Sequence, residues 1–388
     1  MKIYKSTIFE LFTFVVGALI LRFVLEEFLG EGYNSLIRMG AVILILLFGT
    51  FFVLKGTAKI IEETTGALSH KTKLAGGMLQ SLGTAFPDLV LGVTAAVISL
   101  RVASTDYTLA INYAIIAAAT TFGSNIYNVG HAVWCVFRQN LANEKKKVVL
   151  MFPFINKLGV LTPLSDHKIK PSLKEFDTSI DILNVLTILT AVVAICMVLF
   201  GKIANTPAGI QGDLYQLIKP VGVVILILCI FSIYYFRKSK KEEGRLAEEE
   251  EENYYSKKSI PVILAHLLFS GIAILFAAET MVNAVKVFSD LTGLPFVVTG
   301  VLAGIIGCLG EMIVIHNFSV NPKGRLGDAI VGVSMDNIVT TMGAAIVAIM
   351  GGIFLGGNAL ILIFVIILTL NTMLIWQISR LKNYFYKF

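Results

Sequence analysis

Long apolar runs broken by short polar stretches set the pattern of this chain. Runs of spanning length fall at 7–29, 37–60, 73–100, 108–137, 178–200, 215–236, 260–287, 294–318, 326–350 and 357–379. A helix needs ~20 predominantly apolar residues to cross a bilayer. The pattern therefore predicts an all-α polytopic membrane protein with about ten transmembrane helices. The stretches between the runs alternate in basic content. Lys2 and Lys5, 55–73, 138–147 with 168–174, 237–258, Lys323 with Arg325, and 380–387 are Lys/Arg-bearing, whereas 30–38, 101–108, 202–216, 289–293 and 351–356 are poor in basic residues. The positive-inside bias puts the first set, and with it both termini, in the cytoplasm of a multi-pass protein of the cell membrane.

Composition agrees. Of 388 residues 56% are hydrophobic and 15% charged, with mean hydropathy +0.80, which excludes an ordinary soluble enzyme. The net charge of +6 sits in short loops, so it reads as topology rather than a nucleic-acid surface. Cys135, Cys196, Cys229 and Cys308 are scattered through the spans, without a CxxC pair, and read as packing residues. The first run carries no small-residue cleavage site and ends in Arg22, Glu26 and Glu27, so it reads as a retained helix. Residues 148–155 form an apolar piece interrupted by Pro153, too short to span and suited to the membrane interface. Residues 237–258 are highly charged and read as a solvated linker. Calcium sensing by the run 248–252 is the lesser reading, since the alternating oxygen ligands and glycine of an EF-hand loop are missing.

The chemistry lies in two carboxylates inside apolar spans. Gly83-Thr84-Ala85-Phe86-Pro87-Asp88 places an acid beside a proline. That proline is expected to disturb the helix and free the Gly83 carbonyl. In the second half Gly304-Ile305-Ile306-Gly307-Cys308-Leu309-Gly310-Glu311 again puts an acid among glycines. Apart from Lys73 at the edge of the first, neither span contains a lysine or arginine to pair with its acid, and such acids commonly mark ion or proton pathways. Gly123-Ser124-Asn125-Ile126-Tyr127-Asn128 follows the first motif and Gly332-Val333-Ser334-Met335-Asp336-Asn337 the second. Ser124 and Asn128 share a helix face. Four spans lie between those of Asp88 and Glu311, so the two run in opposite directions and the chain reads as two inverted-topology repeats. Interrupted spans at matching places in inverted halves point to a transport site at the repeat interface. The division expected is 1–36, an extra N-terminal helix and loop; 37–236, a first half with its motif at 83–128; 237–258, a cytoplasmic linker; and 259–388, a second half with its motif at 304–337.

These stretches resemble the alpha-repeats of the cation/calcium exchanger superfamily, whose usual forms are G-T-S-x-P-E and G-S-N-x-x-N. The match is good at 83–88 and 123–128 and weaker at 307–311 and 332–337, and with the preceding helices covers around half of the chain. The resemblance implies an antiporter, not an enzyme, that exports Ca2+ in exchange for Na+ or H+. It makes Asp88 and Glu311 the paired acidic ligands, with Thr84, Ser124, Asn128 and Asn337 as flanking polar ligands. Asp336 is an extra acid that joins them if its face turns inward. No resident cofactor is implied, and the partners are the bilayer and the transported ions; the oligomeric state stays open. Asp88 stands where glutamate is usual, Ala85 and Cys308 replace serines, Gly307 replaces threonine and Val333 replaces a serine. Lost hydroxyls bear on Na+ coupling, because hard cations prefer oxygen ligands. Proton-coupled exchange of Ca2+ or another divalent ion is the alternative. A non-transporting Ca2+ sensor is a remote one, as is an intramembrane protease using Asp88 and Asp328; the sequence 324–328 lacks the G-x-G-D spacing.

Elsewhere, Glu279, Asn283 and Lys286 recur along one helix, and an internal Glu279–Lys286 pair is the expectation. His131 lies one turn beyond Asn128, as a structural hydrogen-bonding residue or a proton relay. His316 is expected near the interface, and Trp134 and Trp376 as aromatic anchors.

Overall fold

The computed structural model describes residues 6–72, 76–164, 171–207, 213–240, 254–320 and 326–386; some side chains within its helices, those of Thr84 and Asp88 included, lie outside the described residues. Outside them too lie residues 241–253 of the charged linker, Lys323 and Arg325, and the side chain of Asp328.

The helices are α1 (Ser6–Ile20), α2 (Ser35–Phe48), α3 (Lys55–Thr72), α4 (Gly76–Val102), α5 (Tyr107–Lys145), α6 (Leu173–Phe200), α7 (Lys219–Lys240), α8 (Ile260–Thr292), α9 (Phe296–Val320), α10 (Leu326–Met350) and α11 (Gly357–Phe385). A π-helical turn at Leu21–Leu25 and a 3-10 turn at Glu26–Leu29 extend α1, and a π turn at Gly49–Leu54 joins α2 to α3. Each of the ten expected ranges falls on a helix. By length and apolarity seven segments qualify as full spans among the described residues. An eighth forms if the bent pair Phe296–Leu309 and Glu311–Asn317 counts as one, while Leu89–Val102 and Lys219–Tyr235 are the apolar described parts of the longer helices α4 and α7. The outer helices expose Phe9, Phe12, Leu44, Ile188, Phe231 and Leu362, as surfaces facing lipid do.

Local chemistry sets the ends. Asn34 accepts from Ile37 N and Asp106 from Leu109 N, both at 2.9 Å, supplying partners to otherwise orphaned donors. Ser172 and Glu175 form a capping box on α6. Gly293 closes α8 in the left-handed region, φ 69°. Pro87 lies inside α4, which continues through it. The expected break does not interrupt the helix, as spanning helices tolerate proline where neighbours re-satisfy the freed groups.

Four short strands qualify the all-α expectation. β1 (Val149–Phe152) and β2 (Ile155–Leu161) form an antiparallel hairpin, and β3 (Leu214–Gln216) pairs with β4 (Phe354–Gly356). The apolar piece at 148–155 is thus half of a hairpin. Pro153 and Phe154, the latter at φ 69°, make its turn.

Two helix pairs build the centre. Along α5 and α9, Ala119 faces Gly300, Ser124 faces Gly304, Asn128 meets Glu311 and His131 stacks on His316. The partners advance together, so these helices run parallel. Leu89 with Gly343 and Ala96 with Gly352 show the same for α4 and α10. Because α4–α5 and α9–α10 are each consecutive, parallel cross-pairs mean that the motif-bearing helices of the two halves are inverted. α11 packs on α5 as α6 packs on α10, while α1 lies on α8. A large apolar cluster fills the bundle. A second surrounds the hairpin end, with Met151, Leu161, Ile315 and Leu326 at its centre.

Candidate functional site

α5 and α9 cross backbone to backbone. A Cβ added to Gly304 would lie 2.6 Å from Ser124 N and 2.7 Å from Thr120 O, and one on Gly123 would lie 2.8 Å from Val301 Cα. Gly300 and Gly304 form a small-xxx-small face, the pattern that lets membrane helices approach closely. Asn128 lies one turn beyond Ser124, and Glu311 two turns beyond Gly304, so both reach the same seam.

There the Asn128 Nδ2 donates to Glu311 Oε2 through a short hydrogen bond. Glu311 is 3% exposed and Asn128 1%. α9 bends by 56° between Phe296–Leu309 and Glu311–Asn317, which places the acid at the start of the second segment. The glycines noted beside this acid in the sequence, Gly307 and Gly310, flank the bend. A carboxylate removed from water requires compensation, and the Asn128 amide supplies part of it.

Further polar groups around the centre lack protein partners. Among the described residues, Asn128 Oδ1, Asn125 Oδ1 and both amide atoms of Asn337 are buried without a hydrogen-bond partner. Orphaned buried polar atoms are uncommon and call for a bound water or ion. Most of these atoms are oxygens, the donor type that suits hard cations. Ser124 and Asp336 are also buried. The structure brings Asn128 and Glu311 together; Asp336 and Asn337 stand on α10, which packs on α4. Thr84 and Asp88 are carried by α4, with side chains outside the described residues. Among the described residues, His, Cys, Asp and Glu do not gather in threes as a metal site.

Asn125 is absent from the sequence-derived ligand set. It lines a cavity of about 30 Å³ with Phe122, Thr190, Thr341 and Phe364, room enough for water. The asparagine inside the Gly123–Asn128 motif was its only signal.

No family model matches the sequence, and no curated relative does. Solved structures do. The crystal structure of the H+/Ca2+ exchanger CAX aligns over 99% of this chain and 98% of its own, at TM-score 0.58 and 13% identity. The fold is that of this exchanger. The structure of native YfkE aligns over 97% of this chain and 99% of its own, at TM-score 0.50 and 13% identity. The sodium-calcium exchanger NCX_Mj covers 91% of this chain and 97% of its own, at TM-score 0.47 and 17% identity. The exchanger architecture read from the alpha-repeat motifs is thus present over nearly the whole length.

Other polar residues within the exchanger fold are placed differently from expectation. Glu279 does not pair with Lys286. Arg22 Nη2 meets Glu279 Oε1 at 3.1 Å, and Lys286 Nζ meets Asp290 Oδ2 at 2.8 Å. The reason is spacing: Asp290 is one turn from Lys286 and Glu279 is two. Arg22 also bonds Glu26 at 2.6 Å, and Glu26 accepts from Thr280 and Asn283, each at 2.8 Å. Tyr113 O–H completes the chain by donating to Asn283 Oδ1 at 3.0 Å. The charges that end the first apolar run therefore tie it to α8 and α5. His131 and His316 stack 5.8 Å apart, and Trp134 Nε1 donates to Met151 O at 3.0 Å. Trp134 thus packs on the hairpin, while Trp376 is exposed beneath Arg380. Cys135, Cys229 and Cys308 are buried and Cys196 is half-buried; none of the four forms a disulfide.

Proposed function

We propose that the chain is a secondary active cation antiporter that exchanges Ca2+ for Na+ by alternating access. The observation that carries this reading is the buried Asn128–Glu311 contact where helices of two inverted halves cross. Glu311 and Asp88 are the proposed acidic ligands, with Thr84, Ser124, Asn128, Asn337 and Asp336 around them. Two carboxylates offset a divalent charge in a low-dielectric site. Once Ca2+ leaves, bare carboxylates at mid-membrane are unfavourable. Monovalent cations must then neutralise them before the carrier reorients, and that requirement couples the two fluxes. The proposed halves are 37–236 and 259–388, joined by the linker 237–258 and preceded by the extra segment 1–36. Both termini are proposed to face the cytoplasm, with the cell membrane as location.

The test is Ca2+ uptake into proteoliposomes under imposed Na+ and pH gradients. Na+-driven uptake in the native protein, lost in Asp88→Asn and Glu311→Gln, is the expected result. Full uptake in either variant removes the site as assigned.

Proton coupling is the second reading, and Gly307 and Cys308 favour it. They stand where the resemblance puts hydroxyls, and the Cys308 thiol contacts Ile305 O and Met312 Sδ, each at 3.7 Å. A sulfur there offers a hard cation little. The likeness to an H+/Ca2+ exchanger points the same way. Uptake driven by a pH gradient without Na+ selects this reading.

A further inference from the structure

We propose that the β1–β2 hairpin is the gate at its end of the bundle, held on α5 and released from α9 during the transport cycle. The proposal rests on the antiport reading of the Asn128–Glu311 site. Its basis is how unequally the hairpin is attached. On the α5 side Trp134 Nε1 donates to Met151 O at 3.0 Å, and the Arg138 guanidinium grips Leu150 O, Nε at 3.0 Å with Nη2 on the same oxygen. On the α9 side the described polar link is His316 Nε2 on Leu158 O at 2.9 Å. Beside it Gly159, at φ 91°, passes so close to Val320 that a Cβ would lie 2.9 Å from it.

Phe152 closes the seam between the helices. Its ring stacks on His131 at 6.2 Å and on His316 at 6.0 Å, within 19° and 13° of parallel. His131 is one turn beyond Asn128 and His316 five residues beyond Glu311, so this aromatic layer follows directly on the site. Met151 and Leu161 are fully buried beneath it. A cation leaving toward this end must part the layer. On the opposite side of the site, a crevice of about 10 Å³ lies among Leu46, Thr120, Met281 and Ile306.

α5 is one continuous helix, whereas α9 bends by 56° beside Glu311. The segment Glu311–Asn317 that carries His316 thus has a hinge on which to swing while the glycine crossing stays closed. A hairpin fixed to α5 then stays with it, and the histidine–carbonyl link and the Phe152 stack separate from α9. Aromatic packing with one hydrogen bond suits a contact that must re-form every cycle.

Spin labels on the full-length protein in liposomes test this, with the four native cysteines replaced. Phe154→Cys is paired with Asn317→Cys on α9, and separately with Lys145→Cys on α5; all three positions are exposed. Between Ca2+ and Na+ conditions, the first distance should gain a population displaced by ~5 Å, on the scale of one helical turn, while the second stays constant. His316→Phe keeps a stacked ring and drops the bond to Leu158 O, so it should enrich the displaced population. Constant distances in protein that transports overturn the gate, as does equal movement of both pairs. An unchanged population in His316→Phe overturns the role of the histidine link. Absence of any cation flux counts instead against the antiport reading.

Discussion

Asn128 and Glu311, 183 residues apart in sequence, share one hydrogen bond at the crossing of α5 and α9. The amide satisfies one carboxylate oxygen and turns its own Oδ1 toward no protein donor. Removing the amide leaves the carboxylate short of a donor, at a cost of ~1–3 kcal/mol. Asn128→Ala should therefore change cation affinity by roughly 5- to 150-fold, at tenfold per ~1.4 kcal/mol. Calorimetric Ca2+ titration of purified protein measures it. An affinity within a factor of two of the native value would place the cation elsewhere.

Gly123 inside α5 and Gly332 inside α10, which open the second motif of each repeat, should respond oppositely to alanine. A Cβ on Gly123 meets backbone atoms of Val301, whereas one on Gly332 meets nothing within 4 Å. Backbone cannot move aside cheaply, so Gly123→Ala should lose ~1–3 kcal/mol to overpacking. Gly332→Ala should be neutral or gain up to ~1 kcal/mol from reduced backbone entropy. Thermal unfolding in detergent followed by size-exclusion chromatography reads both.

Arg22 holds Glu26 and Glu279 together across α1 and α8. Its loss leaves two part-buried acids facing one another, so Arg22→Ala should destabilise by ~1–3 kcal/mol. Glu279→Ala should cost less, because Arg22 keeps Glu26. A double-mutant cycle on Arg22 and Glu279 should show coupling of ~0.5 kcal/mol or more; additive effects would mean that the contact contributes nothing.

Glu63, beyond the apolar part of α3, has its pKa raised above the ordinary 4.5. Burial is the main cause; Lys59 opposes it and Glu10 adds to it. The folded state therefore holds this proton more tightly than the unfolded chain does. Stability from this group is fully present below pH 4.5 and falls as pH rises through the folded pKa. Glu63→Gln should raise the melting temperature at neutral pH and leave it unchanged near pH 4. A series of melts across that range decides it.

Much of this architecture was legible because membrane insertion writes it plainly. Apolar runs located the helices, and the acids at 88 and 311 located the motif helices, since each is an exception to its surroundings. The hairpin at 149–161 was not legible. An eight-residue apolar piece with a proline carries no helix or strand period, and what fixes it is contact with Trp134, Arg138 and His316. The Glu279 partner was missed for a similar reason. Helix spacing sees neighbours on one helix, whereas Arg22 arrives from 257 residues away. Asn125 was passed over because its orphaned oxygen appears only once neighbouring helices bury it.

The hairpin belongs to one half alone. The connection from α5 to α6 includes β1 and β2, while the corresponding connection from α10 to α11 runs only from Met350 to Gly357, and its strand β4 pairs with β3. The two faces of the carrier are thus unequal in construction, although its repeats are related by symmetry. Ion gradients alone set the equilibrium of an exchange, but barrier heights follow the local build. Loading and unloading should consequently proceed at different speeds on opposite sides of the membrane, giving a carrier whose forward and reverse half-cycles are kinetically distinct.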